Sequence, residues 1–453
     1  MNRRSVTFAA LAALVAGTLL MAPAKAVTGF SLSLVSDVNS VAAGSFPSYL
    51  TNFNGSLYFQ SNDGTGAELW KSNGTTSTKV VDLNSDSSGS RPSSLTVLNS
   101  KLYFIAQLDD GKWLYSLSTS DVATKIAKVS TDNVTSGFEI HAGDNYLFVK
   151  IAGPYDSTEL VMWNPSTDFS TATAVTSPAD NCDASPDNIN IYHDQVLYTA
   201  RVGCNWGGSN VFLYNNGITT RYTDMDMRQS IMFQGKLFLC GWTSATGAGI
   251  WTYDGSTLAR DTSFTPNFNH SDPKTFTIAG GYLYFSIWNS DLSGELLYRT
   301  DGSTYEQVGT SGMLSPRYVS WLAPVGNRIL VFTRGESEDY SDYAYYVSNG
   351  TNLSQVTGLP NAVIHYEYED FAPGTNAPAV FNGDLYLSAG SNVNAADLVK
   401  INSTTLVASA PITHNNSSQD SFPYYFRTFK GKMYFAATDG VHGDELFSYD
   451  GTN

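Results

Sequence analysis

Charge is scarce in this 453-residue chain, and positive charge is the scarcer of the two signs. Charged residues make up 15% of the chain, against about 25% in an ordinary soluble domain. The 41 acidic residues outnumber the 25 lysines and arginines, which gives a formal net charge of −16. Such a chain is repelled by nucleic-acid phosphates and by anionic membrane surfaces, so we expect neither as a partner.

Helical patterns and long apolar runs are missing after the first 26 residues. No stretch there approaches the roughly 20 apolar residues that a membrane-spanning helix needs, so we expect no membrane span. No long segment shows helical spacing of its apolar residues. The 27 tyrosines and 24 phenylalanines supply apolar area instead. This composition is typical of strands and turns and predicts an all-β fold.

The first 26 residues differ from the rest and predict a signal peptide. A pair of arginines precedes the apolar stretch Phe8–Met21, and Ala24–Ala26 forms a small-residue cleavage site. We therefore expect a single mature domain over 27–453, exported to the periplasm, the cell surface or the medium. Removing the three basic residues of the signal takes the formal charge from −16 to −19.

A short apolar-aromatic triplet recurs along the mature chain and defines a repeat. It begins at Leu57, Leu102, Tyr146, Val196, Leu237, Leu283, Ile329, Leu385 and Met433. The mean spacing of about 47 residues is typical of propeller blades with four strands. We predict a closed β-propeller with nine blades, one for each unit. Because units 7 and 8 are irregular, eight blades remain the alternative.

Turn sequences and the chain ends support this fold. Asn54-Gly55 follows the first strand of unit 1, and Asn-Gly or Asp-Gly follows the third strand in six units, where positive φ is expected at both residues. The last unit stops after its third strand. The segment SLSLVSDVNS after the signal matches the fourth-strand segment TKVVDLNSDS of unit 1. We therefore predict that the N-terminal strand completes the last blade, which would close the ring and hide the sheet edges.

Four units also carry a recognisable motif. Unit 1 contains GAELWKSNGT, and looser copies are GIWTYDGS, ELLYRTDGS and DELFSYDGT in units 5, 6 and 9. This pattern resembles the ELW-x-x-DGT repeat family of exported bacterial proteins. The resemblance implies a β-propeller-like repeat on exported or cell-surface proteins, and it brings no catalytic motif.

Two acidic patterns allow more than one interpretation. The motif glutamates are Glu68, Glu159, Glu295 and Glu445, and we expect them to accept hydrogen bonds from backbone donors at the start of the third strand. Asp82, Asn84 and Asp86 are spaced like the start of a calcium loop. Because the glycine and the final glutamate of such a loop are absent, a polar turn is the preferred interpretation. We therefore expect no cofactor, with calcium as the weak alternative.

The predicted binding residues lie on one face of the propeller, where connections between the second and third strands and between blades emerge. We call it the loop face, and such loops commonly carry function. The position five residues after the start of each triplet holds Arg201, Trp242, Trp288 and Arg334 in units 4 to 7. The other units hold Asn62, Gln107, Ile151, Gly390 and Thr438 there, and neighbouring loops add Trp206, Tyr340, Tyr343, His365 and Tyr366.

Aromatic rings stack on sugars, and arginine binds carboxylates through paired hydrogen bonds. These residues therefore predict a binding module for an extracellular polysaccharide or cell-envelope glycan, including anionic ones. In the alternative interpretation, the tryptophans fill the wedges between blades. Catalysis stays open: Tyr, His and Arg side chains could serve a polysaccharide lyase, and Glu336 with Asp339 a glycoside hydrolase. A third hypothesis is a monomeric propeller that binds an envelope protein or is purely structural.

The three cysteines generate a first testable prediction. An odd number in an exported chain suggests one disulfide and one remaining thiol. Cys182 and Cys204 fall in loops that the fold places on the loop face, whereas Cys240 follows Leu239 in a strand. We predict a Cys182–Cys204 disulfide, worth roughly 3 kcal/mol for a loop of about 20 residues. Peptide mapping should find this pair, and a disulfide that includes Cys240 would contradict it.

Overall fold

The computed structural model of the protein describes residues 32–40, 44–131, 137–153, 158–176, 185–201, 209–222, 225–265, 273–289, 294–309, 318–334, 343–348, 350–356, 378–392, 395–409 and 421–451. In these residues the regular structure consists of 35 β-strands and one short 3-10 helix, Phe169–Thr171. The strands form nine sheets arranged as the blades of a propeller, and blade numbers follow the sequence units. The all-β prediction is confirmed.

Strand β1 (Ser33–Ser36) precedes the first blade. The strands of the first five blades follow in chain order. Blade 1 has β2 (Ser48–Phe53), β3 (Ser56–Asn62), β4 (Ala67–Ser72) and β5 (Ser77–Val81); blade 2 has β6 (Ser93–Leu98), β7 (Lys101–Leu108), β8 (Gly111–Leu117) and β9 (Ala123–Ser130). Blade 3 has β10 (Ile140–Ala142), β11 (Leu147–Ala152), β12 (Thr158–Trp163) and β13 (Thr173–Ala174); blade 4 has β14 (Asp187–Tyr192), β15 (Gln195–Arg201), β16 (Ser209–Asn215) and β17 (Ile218–Tyr222). Blade 5 has β18 (Met225–Phe233), β19 (Lys236–Thr243), β20 (Gly247–Tyr253) and β21 (Leu258–Arg260).

The remaining blades continue the pattern with two exceptions. Blade 6 has β22 (Lys274–Ala279), β23 (Tyr282–Asn289), β24 (Gly294–Thr300) and β25 (Tyr305–Val308); blade 7 has β26 (Tyr318–Val325), β27 (Arg328–Arg334), β28 (Tyr343–Ser348) and β29 (Leu353–Gln355). Blade 8 has β30 (Ala379–Phe381), β31 (Asp384–Asn392) and β32 (Ala395–Ile401), and blade 9 has β33 (Tyr424–Phe429), β34 (Lys432–Thr438) and β35 (Asp444–Tyr449). All strand pairs are antiparallel.

Nine blades are therefore present, and the eight-blade alternative is wrong. Blade 8 departs from the predicted four strands, since its sheet contains three within the described residues. A single antiparallel bridge between Ile401 and Ala408 stands where a fourth strand would begin.

The repeated triplet packs the blades against each other. Because side chains alternate along a strand, Leu57 and Phe59 face blade 9 while Tyr58 faces blade 2. The same alternation produces nine hydrophobic clusters, one at each junction between neighbouring blades. Full burial of each such side chain contributes roughly 1.5–3 kcal/mol of hydrophobic free energy. The core of this protein is thus divided among the junctions.

In unit 3 the predicted triplet is out of register by one residue. Leu147 and Val149 face blade 2, as Leu57 and Phe59 face blade 9 in blade 1. Leu147, rather than Tyr146, therefore begins the structural triplet. The longer hairpin of this blade explains the shift, because Gly143 N bonds Tyr146 O and leaves Tyr146 in the turn.

Only some of the turns after the third strand have the positive φ at both residues that we expected. Asn216 and Gly217 both have positive φ, as do Asn54 and Gly55 after the first strand of blade 1. At Asp254 the side chain instead accepts hydrogen bonds from Ser256 N and Thr257 N, both at 2.9 Å. These bonds lower the pKa of Asp254 to about 2.

Asp301 and Asn73 accept the equivalent backbone bonds, so these are Asx turns in which only the glycine is left-handed. Positive φ at both turn residues was thus a wrong prediction for these three turns.

The ring closes as predicted through the N-terminal strand. β1 pairs with β35 in antiparallel register, with Ser33 opposite Ser448 and Leu34 opposite Phe447. The sheet order of blade 9 is β1-β35-β34-β33. The Val35 side chain of β1 also joins the hydrophobic cluster between blades 9 and 1. Closure therefore supplies both the missing strand and part of a junction core.

Three carboxylates hold successive blades together, and we call Glu68, Asp397 and Glu445 the interblade carboxylates. Glu68 accepts bonds from Leu83 N and Asn84 N, both at 3.3 Å, from Ser90 N at 2.8 Å, and from the Ser90 hydroxyl. We had expected donors at the start of the third strand. The donors instead lie in the connection to blade 2. The structural role predicted for this glutamate is confirmed, with different donors.

Glu445 repeats this arrangement across the chain ends. It accepts bonds from Val38 N at 3.2 Å, Asn39 N at 3.3 Å and Ser45 Oγ at 2.6 Å. Burial raises the pKa of Glu445, and these three donors oppose the rise. In blade 8 the shorter Asp397 accepts bonds from Ser421 N at 3.0 Å and Ser421 Oγ at 2.9 Å.

We predict that Glu445→Ala destabilises the protein by about 2–4 kcal/mol, since it leaves the Val38 and Asn39 amides without their buried acceptor. Glu68→Ala is the matched control, because it breaks the same bonds inside a continuous stretch of chain. Urea denaturation should show comparable losses for both variants. Limited proteolysis should cut the N-terminal segment faster only in Glu445→Ala. A Glu445→Ala protein with unchanged stability and protease resistance would contradict this account.

Candidate functional site

Of the two predicted tryptophans that the structure describes, Trp242 is the more open. It lies near the loop-face end of β19, where its backbone is opposite Asp226 of β18 and Ala248 of β20. Alternation from Leu237 places its side chain on the side of blade 5 that faces blade 6. Its exposed fraction is 43%, which is high for so large an apolar side chain. The Trp242 ring is thus available for stacking against a ligand.

An ion pair accompanies this ring on the inner strand. Arg228 Nε lies 3.8 Å from Asp226 Oδ2, and both side chains are well exposed. Asp226 and Trp242 are cross-strand neighbours, and cross-strand pairs share one face of a sheet. The site on blade 5 therefore combines an apolar ring with a carboxylate and a guanidinium, groups that can bond ligand hydroxyls or carboxylates.

Trp288 occupies the same strand position one blade further on, and it is half-buried. Its ring stacks on Tyr318 of blade 7, with 5.2 Å between ring centroids and 14° between ring planes. It therefore combines the two interpretations of the sequence, because it fills part of the wedge between blades and keeps some of its surface in solvent.

A buried acid lies beneath this stack. Glu295 is directly opposite Trp288 in the sheet, and its Oε1 atom lies 2.6 Å from Lys274 Nζ. Lys274 begins the inner strand of the same blade and keeps about half of its side chain exposed. The ammonium group of Lys274 thus neutralises the carboxylate of Glu295 beside the Trp288–Tyr318 stack.

The two flanking arginines are placed by their backbones. Arg201 ends β15 opposite Ser209, and Arg334 ends β27 opposite both Tyr318 and Tyr343. Arg334 thus ends its strand beside the residue that stacks on Trp288. Trp206, Tyr340, His365 and Tyr366 lie outside the described residues, as do Glu336, Asp339, Cys182, Cys204 and the first 31 residues.

Sequence reasoning missed Tyr318, Asp226 and Arg228. All three lie on inner strands, whereas the predicted residues lie on second strands and loops. A signal for Tyr318 was available, because Pro316 precedes it by two residues and a proline there marks the start of an inner strand in other units. Cys240 is buried at the junction of blades 5 and 6, where its packing is that of a small apolar side chain.

The calcium-like segment forms a turn stabilised by its own side chains. Asp86 Oδ1 accepts bonds from Ser88 N at 2.7 Å and Gly89 N at 3.0 Å. Asp82 lies 3.7 Å from Lys79 Nζ. Within the described part of the chain, no group of three or more His, Cys, Asp or Glu side chains could hold a metal ion. The two bonds of Asp86 are those of a polar turn, and the expectation of no cofactor stays a prediction.

Comparisons with known proteins add little to the geometry. Neither the protein-family models nor the curated proteins gave a match to this chain. The ELW-x-x-DGT resemblance thus remains a prediction.

Among solved structures, a prolyl endopeptidase is similar at 11% identity, with a TM-score of 0.42, over 78% of this chain and 55% of that one. The β-propeller domain of the trilobed protease from Pyrococcus furiosus is similar at 10% identity, with a TM-score of 0.37, over 70% of this chain and 98% of that domain. The acylaminoacyl peptidase from Pyrococcus horikoshii gives 10% identity and a TM-score of 0.35, over 76% and 57% of the two chains. This chain thus spans just over half the length of the prolyl endopeptidase and of the acylaminoacyl peptidase.

Among the residues described by the structure, none of the helices has the length and apolar character needed to cross a membrane.

The two tryptophans should differ in their contribution to stability. We predict that Trp242→Ala changes the free energy of unfolding by less than about 1 kcal/mol, because the ring is open. Trp288→Ala should cost roughly 2–3 kcal/mol, since it removes a half-buried ring and its stack. A double-mutant cycle with Tyr318→Ala should give a coupling of about 0.5–1.5 kcal/mol. Additive losses at 288 and 318 would contradict the stack.

Proposed function

We propose that the protein is an exported binding module that holds an extracellular polysaccharide or cell-envelope glycan on the loop face of blades 4 to 7. The observation that carries the proposal is the open ring of Trp242, next to the Asp226–Arg228 pair. A flat apolar ring beside hydrogen-bonding groups is the arrangement that binds the apolar face of a sugar together with its hydroxyls.

The neighbouring blade extends this surface. Trp288 stands at the same strand position as Trp242 and is fixed by its stack on Tyr318. A rigid ring loses little conformational entropy when a ligand binds, so it adds affinity efficiently. The two rings of Trp242 and Trp288 on adjacent blades suit a chain of several sugar units better than a single small molecule.

Charge favours glycans with acidic groups at this place. Arg228 and Lys274 keep much of their side chains exposed on the inner strands of blades 5 and 6, although each is paired with a carboxylate of its own blade. Arg201 and Arg334 end the second strands of blades 4 and 7. On a chain with a formal charge of −16, such a set would offset the general repulsion of an anionic polymer.

A glycan array with the mature protein tests the proposal, followed by titration of each hit. We predict that Trp242→Ala weakens binding about tenfold, as the loss of one stacking contact implies. Arg228→Ala should weaken binding chiefly for acidic glycans, and added salt should weaken it further.

Trp113→Ala is the matched control. Trp113 lies in blade 2, where Lys125 Nζ sits 3.5 Å from its ring centroid, and its loss should leave glycan binding unchanged. Unchanged affinity in Trp242→Ala, or a loss of equal size in Trp113→Ala, would contradict the proposal. In that case a protein partner of the envelope becomes the better hypothesis.

A further inference from the structure

A second group of aromatic side chains lies where the ring closes, on the inner strands of blades 9 and 1. These strands are adjacent, since Asn52 Nδ2 bonds Thr428 O at 2.9 Å. Tyr49 of blade 1 and Tyr425 of blade 9 have ring centroids 6.3 Å apart with planes inclined by 35°. Tyr424 extends the group, with its centroid 5.3 Å from that of Tyr425. The three rings therefore form one cluster that spans the junction.

The backbone at this cluster is unusual. Tyr49 and Tyr425 have φ values of 58° and 57°, in the left-handed region that bulky side chains rarely adopt. Each lies at a bulge of the inner strand. The equivalent bulge positions in blades 2, 4 and 6 hold Ser94, Asn188 and Thr275, also left-handed.

The bulge itself therefore does not require an aromatic residue. Asparagine tolerates this conformation better than tyrosine does. The left-handed backbone recurs in blades 2, 4 and 6, so it is the two tyrosines that distinguish blades 9 and 1. Here Thr51 Oγ1 donates to Tyr49 O at 2.9 Å and holds one of them.

The cluster is open to solvent at the loop face. Tyr49 is 41% exposed, and Phe46, three residues earlier in the chain, is 51% exposed. Phe46 also has a left-handed φ, and it is fixed by the bond from its amide to Asp444 O at 3.0 Å. Tyr425 packs against the junction core between blades 9 and 1, whereas Tyr49 and Phe46 are not part of that core. The exposed rings of Tyr49 and Phe46 are thus additional to the packing that closes the ring.

Asp444 lies beside this cluster, and its backbone carbonyl accepts the Phe46 amide. Burial first, and then the charge of Asp444, raise the pKa of Tyr424. Asp439 pairs with His442 in the adjacent loop at 2.7 Å. The exposed Arg427 lies two residues further from the loop face, opposite Tyr434. A ligand at Tyr49 would therefore meet aromatic faces and carboxylate acceptors, which suits hydroxyl donors and disfavours a carboxylate or sulfate.

We propose that Tyr49 and Tyr425, flanked by Phe46, form a second carbohydrate subsite, which binds pyranose units without acidic groups at the ring closure. The tyrosine rings stack on the apolar face of the sugar, and Asp444 is the nearby acceptor for its hydroxyls. This subsite is independent of the blade 5 to 7 surface, and its preference for uncharged sugars is opposite to the preference proposed there.

The test uses the mature protein with three neutral probes, cellohexaose, maltohexaose and chitohexaose, and one acidic probe, hexagalacturonate. Titration calorimetry should show that at least one neutral probe binds the unaltered protein. Tyr49→Ser and Tyr425→Ser, which introduce the residue of the equivalent position in blade 2, should each weaken that binding about tenfold. The melting temperature of Tyr49→Ser should stay within about 2 °C, because Tyr49 lies outside the junction core, whereas Tyr425→Ser should lower it further because Tyr425 packs against that core.

Trp113→Ala is the control, since Trp113 of blade 2 lies outside both proposed sites, and it should leave binding of the neutral probe unchanged. If a serine variant fails to fold, Tyr49→Asn replaces it, since Asn188 holds the same conformation. Failure of every neutral probe to bind would overturn the proposal. Full affinity in a folded Tyr49→Ser/Tyr425→Ser double variant, or equal binding of hexagalacturonate that depends on Tyr49, would overturn it as well. None of these outcomes affects the Trp242 result, so the two sites are tested separately.

Discussion

The bond between an interblade carboxylate and a serine at the entry to the next blade fixes three successive junctions of the ring, those between blades 8 and 9, 9 and 1, and 1 and 2. Each such serine is held twice, because its carbonyl also accepts the amide at the loop-face end of the second strand in its own blade. Asn62 N bonds Ser45 O at 2.9 Å, and Thr438 N bonds Ser421 O at 2.9 Å. One blade thereby sets the position of the next. The acceptors are buried, so loss of one leaves several donors without partners.

This constraint explains how a chain closes nine blades around one axis. Hydrophobic contact is not directional, so the clusters between blades cannot by themselves fix the angle between neighbours. Directional bonds supply it at the carboxylates and again along the inner strands, where Ser94 Oγ accepts Ile140 N at 2.7 Å. Gln229 Oε1 accepts Phe276 N at 3.0 Å in the same way. These junctions therefore combine apolar clusters with directional polar bonds.

The sequence contained much of this fold, for identifiable reasons. The triplet that begins at Leu57 in unit 1 recurs in every unit, and its side chains fill the junctions between blades, so the repeat predicts the packing. The last unit has only three strands of its own, and its open sheet edge predicts a partner strand. The error at Tyr146 arose because hairpin length, which local pattern does not reveal, sets the register. The left-handed Tyr49 could not be predicted, since its conformation is imposed by the bulge against propensity. Trp242 and Trp288 were found by position, but their different exposure depends on Tyr318 of the next blade.

The central claim is that the two chain ends meet as neighbouring strands, and a cross-link tests it most directly. Ser33 and Ser448 are cross-strand partners in blade 9, and such partners lie within the Cα separation that a disulfide spans. Lys71 and Thr78 form the equivalent third-to-fourth strand pair in blade 1 and provide the control. The account predicts that Ser33→Cys/Ser448→Cys forms its disulfide as completely as Lys71→Cys/Thr78→Cys, as measured by peptide mapping. A folded protein in which the control pair joins and the 33–448 pair stays reduced would contradict closure of the ring.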